Sequence, residues 1–198
     1  MDQRLNRPDA ATLRCFVAVF LPAPVQEGLA PILAALVPPR GGGRAVAAAR
    51  LHVTLRFLGD LDEAWVARVR DALRELPGRH PLRLHLDGLG RFPPRGAPRV
   101  VWAGLSGDAA GLVSLAERVE EAMTGLGLAP EAKAFVPHVT LLRVKDPRAR
   151  LPDLEPLAAR LERAPFVLER FGLYRSTLTP EGPVYAAIEE FPLAALDA

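Results

Sequence analysis

The tetrapeptide His-Val-Thr-Leu stands twice in this chain, at 52–55 within "LHVTLRFLG" and at 138–141 within "PHVTLLRVK". The chain has four histidines and six threonines in 198 residues, so shuffling would give about 0.12 His-x-Thr triplets. Two copies that also agree at the other two positions point to an internal repeat. Alternate side chains of a strand share a face. His52, Thr54 and Arg56 therefore point one way, and Val53, Leu55 and Phe57 the other. In the second copy His138 and Thr140 lie opposite Val139 and Leu141. Arg143 falls on the wrong face by parity, unless a bulge or the strand end re-aims it. Each copy thus offers an apolar face to a core and a polar face to a partner. A pseudo-two-fold axis would bring the two polar faces together in a cleft.

The surrounding pattern supports two such units. Arg14–Phe20 reads as a strand ending at Pro22, followed by helical spacing of Val25, Leu29, Ile32, Leu33 and Leu36, kinked or shortened at Pro31. "PPRGGGR" at 38–44 is a flexible connection. Leu51–Leu58 is a strand stopped by Gly59-Asp60. Asp62 caps a helix with Val66, Val69, Leu73 and Leu76 on its buried stripe, and "LPGRHP" at 76–81 ends it. Leu82, Leu84 and Leu86 alternate with polar residues as a half-buried strand. "RFPPRGAPR" at 91–99 then forms a hairpin connection into Val100–Ala103.

Asp108 caps a helix carrying Leu112, Leu115, Val119, Met123 and Leu126, closed near Gly125 and Gly127. Ala134–Val144 is the strand of the second repeat, and Leu154, Leu157 and Leu161 mark a short helix. Phe166–Leu173 and Val184–Phe191 are strands around "TPEG" at 179–182. The order β-α-β-α-β-β-α-β-α-β-β implies an α+β fold duplicated into two lobes. Each lobe is a mostly antiparallel sheet with helices on its outer face, and the active site lies in the cleft between them. Residues 1–198 then make one bilobal domain.

Composition excludes several classes. A net charge of +2 argues against a broad nucleic-acid-coating surface. Only Lys133 and Lys145 among the 25 basic residues are lysines, an arginine bias that reflects base composition more than RNA binding. Cys15 is the sole cysteine, so intrachain disulfides and cysteine-based zinc sites are ruled out. The polar start, MDQRLNRPDA, and the short apolar run Cys15–Leu21 cannot make a bilayer span. The expected setting is cytoplasmic and reducing, with no membrane association. Two histidines with no neighbouring His, Cys or Asp at ligand spacing do not suit a metal centre. "GLSGD" at 104–108 is no nucleophile elbow, and "GGGR" lacks the lysine and spacing of a P-loop. His80 and His85 read as solvated, as do Arg91, Arg95 and Arg99, although those arginines could also grip an RNA backbone.

Two imidazoles and two hydroxyls facing one cleft suit phosphodiester hydrolysis. Histidine titrates near pH 6.5, so one ring can take a proton from water while the other gives one to a leaving alkoxide. Threonine hydroxyls donate to non-bridging phosphate oxygens, and an arginine adds charge to the same group. The competing reading is a module that binds RNA ends without turnover, for which two titrating groups have no purpose.

The chain resembles the two-histidine phosphoesterase superfamily, and most closely its RNA 2′,3′-cyclic phosphodiesterase branch, the LigT-like proteins once called 2′-5′ RNA ligases. The residues that carry the likeness are "RCFVAVFLP" at 14–22, "LHVTLRFLGD" at 51–60 and "LDGLGRFPPRGAPRVVWAGL" at 86–105. "PHVTLLRVKD" at 137–146 and "FGLYRSTLTPEGPVYAAIEEFPL" at 171–193 complete it. The resemblance implies hydrolysis of 2′,3′-cyclic phosphates, at RNA ends or on small nucleotides, to 2′-phosphomonoesters. It implies no metal or cofactor, and a weak reverse 2′-5′ ligation.

By that likeness His52 is the general acid and His138 the general base, although a pseudo-symmetric site also permits the swap. Thr54, Thr140 and Arg143 match phosphate-binding positions. Arg56, by parity alone, is a candidate substrate contact. Ala45 and Arg50 depart from the "W-x-x-x-x-N-L-H" lead-in that relatives often carry. A complete site in one chain makes a monomer sufficient, with no obligate protein partner.

Overall fold

Strands dominate the chain and sort into two antiparallel sheets. A computed structural model describes residues 12–38, 42–76, 80–180 and 182–193. Its elements run β1 (Leu13–Phe20), α1 (Ala23–Gly28), α2 (Ala30–Leu36), β2 (Gly43–Ala45), β3 (His52–Leu61), α3 (Glu63–Arg74) and β4 (Leu82–Phe92). They continue with β5 (Val100–Gly107), α4 (Ala109–Gly125), β6 (His138–Val144), α5 (Leu154–Ala158), β7 (Phe166–Leu168), β8 (Arg170–Thr179) and β9 (Gly182–Pro192). The polar start at 1–10, the centre of the 38–44 connection and residues 77–79 of the helix stop lie outside the described residues.

One sheet has the order β3-β1-β8-β9 and the other β2-β6-β5-β4-β7. The expected α+β architecture is present, and the duplication shows in the orders. Each histidine strand, β3 or β6, pairs antiparallel with the strand that precedes it in its unit, β1 or β5. The lobes are nevertheless not contiguous halves of the chain. The C-terminal hairpin β8–β9 returns to β1, while β2, from the first half, pairs along β6.

Local physics explains most boundaries. Asp62 caps α3 by accepting from the Trp65 N–H at 2.8 Å, and Asp108 caps α4 by accepting from the Gly111 N–H at 3.0 Å. Their buried stripes, Val66, Val69 and Leu73, then Leu112, Leu115, Val119 and Met123, enter one apolar cluster with the inward faces of both sheets. The expected helix at 25–36 is two helices meeting at the fully buried Leu29. Pro31 sits in the first turn of α2, where its missing N–H is no loss.

Several strand expectations need correction, and the strand of the second repeat starts at His138 rather than Ala134. The run Phe166–Leu173 breaks at Glu169, sending β7 to β4 and β8 to β1. Residues 43 and 44, read as the end of a flexible connection, instead open β2 with Ala45 and pair with β6. Strand β3 does not stop at Gly59-Asp60: it runs on to Leu61 through a bulge, with Gly59 at φ +76°, a conformation glycine adopts at little cost.

Candidate active site

The two His-Val-Thr-Leu segments open β3 and β6 and have the same irregularity. In β3 the register runs His52 to Phe20, Val53 to Val19 and Thr54 to Ala18, then skips Leu55 so that Arg56 meets Val17. In β6 it runs His138 to Gly104, Val139 to Ala103 and Thr140 to Trp102, then skips Leu141 so that Leu142 meets Val101. The leucine of each tetrapeptide is therefore a bulge, which inserts one unpaired residue and reverses the faces beyond it. Both leucines are buried with their valines, while both histidines and both threonines stay partly exposed on the opposite face.

That bulge decides the two arginines. Arg143, displaced by simple parity, returns to the face of His138 and Thr140, and its charge acts on both imidazoles. Arg56 is carried the other way. It is buried on the core side, ion-paired with Glu120 of α4, and its Nη2 donates to the Ala129 carbonyl at 2.6 Å. Arg56 is thus a tie between β3 and α4 and not a cleft residue, which corrects the parity reading. The position equivalent to Arg143 is Phe57, whose ring is 58% exposed and lies 6.5 Å from Phe16.

Each histidine is held in one tautomer by the chain just before it. His52 Nδ1 donates to the Arg50 carbonyl at 2.6 Å, and His138 Nδ1 donates to the Val136 carbonyl at 2.7 Å. In the neutral ring this leaves Nε2 as the acceptor in both. Burial pushes His52 down to about 4, with Arg143 and His138 adding to the effect and the Arg50 carbonyl opposing it. Burial also lowers His138, helped by Arg143 and opposed by the Val136 carbonyl. Low polarity and nearby positive charge both disfavour the imidazolium.

The aromatic setting of the histidines was not read from the sequence. Phe20 stacks on His52 at 5.1 Å, Tyr185 meets it edge-on at 5.2 Å and Phe16 lies at 5.3 Å. Around His138, Phe92 stands edge-on at 5.1 Å and Trp102 at 6.2 Å. A signal did exist: Phe16, Ala18 and Phe20 alternate with Val17 and Val19, so β1 has an aromatic face beside its aliphatic one. Trp102 lies over Gly90, where a Cβ would collide with the indole ring. Ala45, at the position where relatives often have tryptophan, pairs with the buried Leu142 and packs against the core. The change there is a repacked strand, not a lost platform in the cleft.

The fold and the relatives of the chain place it in the phosphoester-cleaving class of enzymes. The model of the 2′-5′ RNA ligase superfamily matches residues 22–179. A protein of Thermus thermophilus named RNA 2′,3′-cyclic phosphodiesterase is 38% identical over 191 residues, covering 91% of this chain and 90% of its own. One of that name from Archaeoglobus fulgidus is 35% identical over 179 residues, covering 90% and 99%.

Among solved structures, TT0787 of Thermus thermophilus superposes with a TM-score of 0.80 at 33% identity, covering 93% of this chain and all of that one. Escherichia coli LigT complexed with 3′-AMP gives 0.76 at 27% identity, covering 91% and 98%. The chain belongs to the 2′-5′ RNA ligase superfamily. No helix among the described residues is long and apolar enough to cross a membrane.

Proposed function

We propose that this chain hydrolyses 2′,3′-cyclic phosphates, at RNA ends or on nucleosides, to 2′-phosphomonoesters, with His52 and His138 as its proton-transfer pair and no metal. The observation that supports the reading is the mirrored pair of Nδ1-to-carbonyl bonds, which leaves Nε2 of each neutral ring as the acceptor available for proton transfer. The substrate class is that for which the relatives are named.

In the forward step the neutral His138 Nε2 takes a proton from water as the water oxygen bonds to phosphorus. The bond from phosphorus to the 3′ oxygen breaks, and protonated His52 Nε2 gives its proton to that oxygen. Thr54 and Thr140 donate to the non-bridging oxygens while Arg143 balances the charge that builds there. Both imidazoles are held low before substrate arrives. The phosphate anion is the opposite charge that raises them and lets the acid load its proton. Solvent exchange then resets the pair. With an RNA 5′-hydroxyl in place of water as the attacking group, the same forward step breaks the bond to the 3′ oxygen and joins the ends through a 2′-5′ link.

The whole chain acts as one bilobal unit, sufficient as a monomer. The free, buried Cys15 suits a reducing cytoplasm.

The test is to incubate the protein with 2′,3′-cyclic nucleotides in EDTA and identify the product by chromatography. A 2′-phosphomonoester is expected. His52→Ala and His138→Ala should each lower kcat by about 10²–10⁴-fold, the usual contribution of one proton-transfer group. Tight binding of the nucleotides without turnover, or full activity in the double variant, would overturn the proposal in favour of an RNA-end-binding module.

A further inference from the structure

Beside His52, on the same face of the sheet, lies a half-open cavity of about 270 Å³ bounded by Phe20, Arg50, Tyr174, Tyr185 and Glu190. Phe20 and Tyr185 are also the rings that touch His52, so the cavity begins where that imidazole ends. Its polar groups are arranged. Glu190 is fixed at both oxygens: Oε1 accepts from the Tyr174 hydroxyl at 2.8 Å and Oε2 accepts from Arg170 Nη1 at 3.3 Å. Tyr174 is 5% exposed, and burial with the Glu190 bond pushes its hydroxyl pKa up, so it remains a donor.

A carboxylate offers about four lone-pair sites, and two of these remain for a ligand. Among the described residues the ion pair of Glu190 is with Arg170. The Arg50 guanidinium lies against the β8–β9 turn, 3.3 Å from where a Cβ on Gly182 would stand, and its charge reaches the Tyr185 hydroxyl.

We infer that this cavity is a guanine subsite, with Phe20 and Tyr185 as its apolar walls, Glu190 accepting from the base and Arg50 donating to it. Unpaired bases are read on aromatic surfaces through their edges. Guanine alone offers a carboxylate two adjacent donors, N1–H and the 2-amino group, and also O6 and N7 acceptors suited to arginine. Adenine and cytosine bring one amino group, and uracil one ring N–H. The inference rests on the phosphodiesterase reading only for placing the 3′ oxygen at His52, one ribose away from the base.

Calorimetric titration of the full chain with guanosine 2′-monophosphate and uridine 2′-monophosphate tests the subsite directly. The guanosine compound should bind at least about tenfold tighter, as one or two charge-assisted hydrogen bonds imply. Glu190→Gln should lower that ratio about tenfold, and so should Arg50→Ala, which covers the case in which the first variant fails to fold. Equal affinities in the unaltered protein, or a ratio that both folded variants retain, overturn the subsite. Hydrolysis of the two cyclic nucleotides, run in parallel, separates the two proposals. Turnover without base preference removes the subsite alone, and base preference without turnover removes the phosphodiesterase reading alone.

Discussion

Arg56 and Arg143 stand one and two residues past equivalent bulges, on opposite faces of their strands, and their fates separate stability from chemistry. Arg56 has a side chain 3% exposed, while its partner Glu120 keeps 30% of its own in contact with solvent. Removing one member of a buried pair strands the other, although water at Glu120 softens the loss. Arg56→Ala should cost about 2–3 kcal/mol in denaturant unfolding and leave KM within about twofold. Arg143 is exposed on β6. Arg143→Ala should change stability by less than about 0.5 kcal/mol while lowering kcat about 10²-fold. Effects in the reverse order would refute the bulge assignment. Arg143 also sets the pH response, because it helps hold both imidazoles down. The pH profile of kcat/KM reports the free enzyme's acid and base, so its maximum should fall below pH 6.5. Arg143→Gln removes a repelling cation, both pKa values rise, and the residual activity should peak at higher pH.

At the scale of elements, the aromatic face of each sheet packs around its histidine. Trp102 on β5 reaches across β4 only because position 90 has no side chain. Gly90→Ala would push the indole against Phe92 and His138, costing about 1–3 kcal/mol by overpacking and about 10–100-fold in kcat through misplaced reacting groups. A shifted Trp emission spectrum should accompany the loss, and unaltered activity would show that the ring carries no positioning role. How far these elements could be read from the sequence follows from what each one depends on. The faces of His52, Thr54, His138 and Thr140 were legible because strand parity is local. Capping at Asp62 and Asp108 was legible for the same reason. The bulges at Leu55 and Leu141 were not, since no glycine marks them and they arise from pairing with β1 and β5. Nor was the break at Glu169, where an apolar run divides between two sheets according to which edge each half can reach.

The whole molecule binds its parts through one apolar cluster fed by both sheets and by α2, α3 and α4. The C-terminal hairpin also reaches back to the other sheet, where Arg44 of β2 donates to the Pro180 carbonyl at 3.2 Å. Unfolding should therefore be one cooperative transition that exposes His52 together with everything else. That makes the partly buried imidazole a contributor to global stability with a definite pH sign. His52 is neutral in the folded chain down to about pH 4, while in the unfolded chain it titrates near 6.5. Between those values the unfolded state binds more protons, so stability is complete above pH 6.5 and declines as pH falls toward 4. One pKa unit corresponds to about 1.4 kcal/mol, so the loss attributable to this ring reaches about 3 kcal/mol at most. Carboxylates also titrate near the lower end, so the measurement is a difference. Urea unfolding of the parent and of His52→Gln, each followed from pH 7.5 to 4.5, should give curves that converge on the acid side as the parent loses the ring's contribution. Parallel curves would mean that His52 is not shielded from water, and the depressed acid limb of the activity profile would lose its physical basis with it.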